Sequence, residues 1–222
     1  MYTARLLKPR IFSATLTQPY QGKGYADGFA QGKEAGWQEA QQELYFTTYG
    51  TLYKKHMLIE TTGHDGFYAY AYRYADRMET LSVPYQKSAY TAPSSVFQGC
   101  SGLKTASLPQ IQRIGQNFFS GCTSLEQVQL GNREYPLEVI GANAFRDCRA
   151  LTRLELVGQL TGSIGLPDSP LLDEGSCQAL VDSLVDQTHQ SAPTLTLHGD
   201  VGRRMTQLQQ ATITAKNWIL VY

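Results

Sequence analysis

No apolar run in this chain of 222 residues is long enough to span a bilayer. Net charge is missing too. Lys plus Arg and Asp plus Glu both number 19, so no overall field draws in nucleic acid or an anionic membrane, and neither is expected as a partner. Histidine is scarce. His56, His64, His189 and His198 lie apart, none with a second histidine or a cysteine at i+3 or i+4, and the four cysteines form no C-x-x-C pair. Metal sites need such close ligand pairs, so neither a metal nor another cofactor is expected. The G-x-S-x-G elbow, the phosphate-binding glycine loop and His-Glu-x-x-His are likewise lacking, which points away from an enzyme. The first residues, MYTARLLKPRIFSATLTQ, are basic but hold no apolar core of signal-peptide length and no cleavage site. Ordinary secretion is therefore not expected.

What the chain has instead is self-similarity. In register it reads VFQGCSGLKTASL from Val96 to Leu108, FFSGCTSLEQVQL from Phe118 to Leu130, and AFRDCRALTRLEL from Ala144 to Leu156. An aromatic, a cysteine, a leucine, a small or branched apolar residue and a last leucine recur at fixed offsets. These are Phe97, Cys100, Leu103, Ala106, Leu108; Phe119, Cys122, Leu125, Val128, Leu130; and Phe145, Cys148, Leu151, Leu154, Leu156. A second apolar signal follows each copy, at Ile114-Gly115, Ile140-Gly141 and Ile164-Gly165. Units this short cannot bury an apolar face alone, so they are expected to stack. A worn earlier copy places Met78, Leu81 and Val83 at the offsets of Leu103, Ala106 and Leu108, with Tyr72 at the aromatic position and Ala75 at that of cysteine. Cys100 and Cys122 are 22 residues apart but Cys122 and Cys148 are 26 apart. The extra residues, around Asn132 to Tyr135, belong in a loop, where insertion costs little. The repeated cysteines read as small, inward, unpaired thiols rather than disulfides or nucleophiles; Cys177 lies beyond the repeats.

These copies resemble the BspA-like (Treponema-type) leucine-rich repeat, A-F-x-x-C-x-x-L-x-x-I-x-L followed by I-G. The resemblance implies an α+β chain built on a short right-handed, β-rich solenoid, with a strand at each L-x-x-V-x-L. On that reading the chain divides into 1–43, an arm and attachment helix; 44–76, an aromatic-rich N-terminal cap; 77–166, the repeats; and 167–222, a C-terminal α/β cap.

Ahead of the repeats, residues 1–20 read as an extended arm interrupted by Pro9 and Pro19. Gly24, Gly28, Gly32 and Gly36 then recur every fourth residue, with Tyr25, Phe29 and Trp37 on the same step. That is helical spacing, although each interior glycine costs a helix about 1 kcal/mol against alanine. The helix expected over residues 21–42 must therefore pack its bare stripe. Packing against identical chains predicts a homo-oligomer, a trimer; packing on its own domain is the competing reading. Further on, Tyr68, Tyr70, Tyr72 and Tyr74 alternate with Ala69, Ala71, Arg73 and Ala75, the pattern of a strand with one aromatic face. Such a face would close the first turn of the stack or offer itself to a glycan or protein.

Pro167 and Pro170 break the repeat rhythm, so the stack is expected to end there. Cys177, Leu180, Val181, Leu184 and Val185 then predict an amphipathic helix from about Glu174 to Gln187. A strand at Thr194 to Leu197 follows. A second helix, about Val201 to Ala215, would turn Met205, Leu208, Thr212 and Ala215 to one side, and Trp218 to Val221 would be a closing strand. In each L-x-x-V-x-L the residues flanking the inward ones point out, so Thr80, Ser82, Thr105, Ser107, Gln127, Gln129, Arg153 and Glu155 are expected to form one polar face, the candidate binding surface.

The whole layout, from glycine-striped helix through repeats to a terminal T-L-T-L, helix, N-W-x-L unit, also resembles leucine-rich repeat tail and baseplate proteins of phages and prophages of gut bacteria. That resemblance implies a non-enzymatic virion component, assembled in the host cytoplasm, contacting other virion proteins or a cell-surface protein or glycan. A BspA-like adhesin on a bacterial surface, binding host proteins or glycans, is the alternative.

Overall fold

A computed structural model describes residues 44–46, 52–58, 71–83 and 89–222, all within one compact unit, Glu43–Tyr222. The glycine-striped segment, with Gly24, Gly28, Gly32, Gly36, Tyr25, Phe29 and Trp37, lies outside the described residues, as do Tyr68 and Tyr70.

The described chain is a mixed α and β fold of mostly parallel strands and few helices. Strands β1 (Leu44–Phe46) and β2 (Leu52–Lys54) form a small antiparallel pair. The main sheet holds β3 (His56–Leu58), β4 (Thr80–Ser82), β6 (Thr105–Leu108), β8 (Gln127–Leu130) and β10 (Arg153–Leu156), in the spatial order β10-β8-β6-β4-β3. All its pairings are parallel and without slip, so Leu81, Ala106, Val128 and Leu154 stand in one inward row. The period of 2 within a strand and the copy length between strands together fix this register: a slip of one residue would turn every leucine outward. The worn copy is a true member, with Ala75, Met78, Leu81 and Val83 all buried.

The second apolar signal builds a second parallel sheet, in the order β5-β7-β9, from β5 (Tyr90–Ala92), β7 (Ile111–Ile114) and β9 (Val139–Ile140). Its glycines admit neighbouring backbone: a Cβ on Gly115 would lie 2.5 Å from Pro93 C, and one on Gly141 2.4 Å from Gly115 C.

Between the two sheets each aromatic and cysteine closes a turn. Tyr72, Phe97, Phe119 and Phe145 succeed one another at centroid distances of 5.4, 5.9 and 5.7 Å. The thiols of Cys100, Cys122 and Cys148 donate to the carbonyls of Tyr72, Phe97 and Phe119 at 3.1, 3.2 and 3.3 Å, the aromatic residue of the preceding copy each time. Every copy bends through left-handed backbone just before the cysteine position, at Tyr74, Gly99, Gly121 and Asp147, and a second such position recurs at Ser95, Asn117 and Asn143. The extra residues Asn132 to Tyr135 do form a loop, closed by the Asn132 side chain accepting from the amides of Glu134 and Tyr135.

The expected tyrosine strand is not seen where the chain is described. Tyr72 and Tyr74 sit in a turn over residues 71–74, because the Tyr72 and Tyr74 amides donate to Val96 and Gln98 of the next copy. Tyr72 packs as a repeat aromatic, and Tyr74 lies across Gly99, where a Cβ would come within 2.2 Å of its ring.

Past Ile164-Gly165 the pattern runs further than its letters suggest. Leu166, Ser169 and Leu172 fall at the aromatic, cysteine and leucine offsets and are buried, and the Asp173 amide donates to Thr152 O as Thr152 donates to Glu126 O. Helix α1 (Glu174–Ser183), capped by Asp173, then replaces the next strand. Its Ser176 hydroxyl accepts from the Leu154 amide at 2.7 Å, satisfying the edge of β10. The helix stops four residues before the expected end, since Leu184 turns extended and bridges to Leu160, with the Val185 amide on Leu160 O. Strand β11 (Ile164–Leu166), β12 (Thr194–Leu197) and β13 (Ile219–Val221) make a third parallel sheet. The single second helix is in fact two, α2 (Gly199–Arg204) and α3 (Gln207–Ala215). Thr206 and Gln209 form a capping box that starts α3 anew. As a result Met205, Leu208, Thr212 and Ala215 share no buried side: Leu208 is 77% exposed, and Gln209 and Ile213 face inward.

Candidate interaction face

Each strand of the main sheet turns alternate residues outward, and the in-register pairing lines those residues up. Thr80, Thr105, Gln127 and Arg153 are direct partners across four strands, as are Ser107, Gln129 and Glu155, with Ser82 opposite Ser107. All eight residues line one shallow concavity of about 280 Å³. Neighbouring strands stand about 4.8 Å apart and same-face residues within a strand roughly 7 Å apart, so the face is a regular grid of polar groups.

Its chemistry changes along the grid. Short hydroxyls occupy one end, carboxamides the middle, and an ion pair the other end, where Arg153 Nη2 lies 2.8 Å from Glu155 Oε1. Ser107 donates to Gln129 Oε1 at 2.6 Å, joining the hydroxyl and carboxamide zones. Thr105 and Gln127 make no side-chain hydrogen bond among the described residues.

Two parts of this surface were not read from the sequence. Strand β3 extends both rows, adding His56 opposite Thr80 and Leu58 opposite Ser82; His56 Nδ1 lies 3.0 Å from Thr80 Oγ1. The short alternation His56, Met57, Leu58 was the available signal. At the other end a second hollow of about 500 Å³ shares Gln129, Arg153 and Glu155 and runs on to the cap residue Asp173 and to Gly175, Ser176 and Ala179 of α1. No repeat pattern announces a helix as that wall.

Among the described residues, the repeat cysteines do not have the geometry of an activated nucleophile. The thiols of Cys100, Cys122 and Cys148 are buried and turned to backbone carbonyls. Burial pushes the Cys122 thiol well above its ordinary range and the Cys148 thiol up to about 12, so both are protonated. Cys177 is shifted the same way, again chiefly by burial. All four cysteines are free. Among the described residues no group of three or more His, Cys, Asp or Glu could hold a metal ion, and no helix is long and apolar enough to cross a membrane.

Residues 66–165 match the BspA type Leucine rich repeat region in six copies, which supports that family for the stretch holding the strand grid. No curated protein and no solved structure matches the chain.

Proposed function

We propose that these BspA-type repeats wind as a right-handed solenoid and that the protein is a non-enzymatic binding module, presenting the polar grid of its main sheet to a protein partner. The observation that carries this reading is the convergence of Thr80, Ser82, Thr105, Ser107, Gln127, Gln129, Arg153 and Glu155 on one concavity. A face of hydroxyls and carboxamides with a single ion pair suits recognition by many shared hydrogen bonds, and phosphate contact or hydrophobic capture much less. BspA-type repeats suggest a protein-interaction or adhesin-like domain.

The finer setting we propose is a phage tail, baseplate or fibre. There the segment 1–43 attaches or trimerises through Gly24, Gly28, Gly32 and Gly36, and the repeats meet the host cell surface. What supports it is the layout of the chain from glycine stripe to terminal N-W-x-L. The repeat match itself favours a second setting, a bacterial surface adhesin directed at host proteins or glycans.

Labelled full-length protein, incubated with bacterial cells and separately with immobilised host matrix proteins, tests both levels. Binding to bacterial cells is expected, with a loss of at least tenfold on Thr105→Arg with Gln129→Arg while the thermal midpoint is retained. Binding that survives both arginines overturns the face. Binding to host proteins alone moves the molecule to the adhesin setting.

A further inference from the structure

The third sheet ends on a strand with one open side. Strand β13 is the last in the order β11-β12-β13, so among the described residues only its β12 side is paired. The parallel register decides which backbone groups that pairing uses. The Ile219 amide donates to Pro193 O at 2.9 Å, and the register repeats that arrangement at Val221. Leu220 lies between the two, so its N–H and C=O point away from β12. One donor and one acceptor on a single residue are thus left at the edge, where only another strand satisfies both at once.

Edges are ordinarily blunted by a lysine, a proline, a bulge or a covering helix. The edge of β10 is covered in this way, its Leu154 amide held by Ser176 of α1. Strand β13 reads Ile219, Leu220, Val221, in unbroken register with β12. The nearest lysine in the sequence, Lys216, is turned elsewhere, its Nζ donating to Val181 O and Leu184 O. Alternation puts Ile219 and Val221 on one face, beside Thr194 and Thr196 of β12, and there they are 51% and 45% exposed. The edge therefore carries aliphatic side chains and free backbone groups together, with no guard against pairing.

We propose that two copies of this chain join through β13, antiparallel about a two-fold axis between the two Leu220 residues, so that the third sheet runs on from one copy into the other as six strands. The Leu220 amide of each copy then donates to Leu220 O of the other, the closely spaced pair of bonds of an antiparallel ladder. In that register Ile219 of each copy lies opposite Val221 of the other, and the four aliphatic side chains meet on one face. A two-fold contact needs a patch that matches itself, and a residue offering both donor and acceptor between two aliphatic ones does so. Strands this short make a contact at the small end of interfaces, below about 1,200 Å² in total, so the association belongs to the weak class. The proposed function concerns the polar grid and does not require this contact.

Sedimentation equilibrium of the full chain, from about 1 µM to about 1 mM, tests it with the unaltered protein and three variants: Ile219→Lys with Val221→Lys, Ile219→Lys with Val221→Glu, and Leu208→Ser. Positions 219 and 221 are exposed, so the substitutions leave the fold in place, which thermal melts verify. At the highest concentration the unaltered protein is expected to reach at least twice the mass of the double-lysine variant, in which like charges stand opposite across the axis. The lysine-glutamate variant is expected to regain that mass, because antiparallel pairing sets position 219 of one copy against position 221 of the other. Leu208, 77% exposed on α3, reports non-specific apolar association, and its replacement by serine is expected to change nothing. Equal masses for the unaltered and double-lysine proteins overturn the pairing. So does a lysine-glutamate variant as light as the double lysine, or a loss on Leu208→Ser as large as that on the two lysines.

Discussion

At the scale of single residues, Cys100, Cys122 and Cys148 are hydrogen-bond donors between copies. Each thiol gives its proton to a carbonyl that the tight turn around the preceding aromatic leaves facing inward, and a buried carbonyl without a donor is costly. This protonated state has a consequence with pH. An unfolded thiol ionises near pH 8.5, whereas the folded Cys148 thiol holds its proton up to about 12. Its contribution is therefore fully present below about pH 8.5 and is lost as pH rises toward 12, because only the unfolded chain releases the proton. The slope is about 1.4 kcal/mol per pH unit for one thiol. Cys148→Ala should be less stable at pH 7.5, since it loses the bond to Phe119 O, yet fall less steeply above pH 9. Urea midpoints from pH 7.5 to 10.5 in reductant measure this. Parallel slopes for the two proteins would mean that the thiol already ionises as it does in water.

Within the elements, close approach of backbones decides which glycines are indispensable. A Cβ on Gly141 meets Gly115 C at 2.4 Å, while one on Gly165 meets nothing nearer than Pro167 Cδ at 3.7 Å. Overpacking of this kind costs about 1–3 kcal/mol, so Gly141→Ala should lower stability by that order and Gly165→Ala should leave it nearly unchanged. Equal urea midpoints for the two variants would show that the second sheet yields to a methyl group. The two positions look identical in the sequence, each following an isoleucine, and only the neighbour across the stack separates them. The same limit explains what was legible and what was not. Leucines, cysteines and aromatics at constant offsets betray a packed row, and the polar grid follows from it by alternation alone. Tyr72 obeyed both an alternating and a repeat pattern, and the bond to Val96 O selected the second. The early end of α1 comes from a bridge to Leu160, distant in sequence and invisible to periodicity. The break between α2 and α3 did have a local signal, Thr206-x-x-Gln209, the capping box that starts α3. Leu166, Ser169 and Leu172 lack both the aromatic and the cysteine, so that copy shows itself only through its hydrogen bonds.

For the molecule as a whole, each copy touches mainly its two neighbours, while the C-terminal part is tied together by contacts far apart in sequence. Lys216 Nζ donates to Val181 O and Leu184 O at 2.9 and 2.7 Å, and Trp218 Nε1 to Val185 O at 2.8 Å, so the last strand is locked to the end of α1. Asn217 adds bonds to Gln187 O and Gln190 O. A stack closed at its C-terminal end in this way should accept a change of length in its middle, because adding one copy creates one more interface of the same kind and disturbs neither end. The spacing of Phe97 and Phe119 is 22 residues, so inserting a second copy of residues 97–118 after Phe118 keeps every aromatic, cysteine and leucine in phase. The new junction puts Phe97 over its duplicate and Gly99 against Gly99, both compatible with the turn; two lysines from position 104 become neighbours at the exposed flank, a small penalty in water. The lengthened chain should fold with one more strand in each of the two repeat sheets and a thermal midpoint at or above the original. An insertion of only the first eleven of those residues puts Cys122 and everything after it half a copy out of phase, and should unfold the protein or lower the midpoint sharply. Circular dichroism melts and amide exchange across Leu125 to Leu130 distinguish the outcomes. Equal loss of structure with 22 and with eleven residues would mean that the stack is held by interactions specific to each position, with no interchangeable unit.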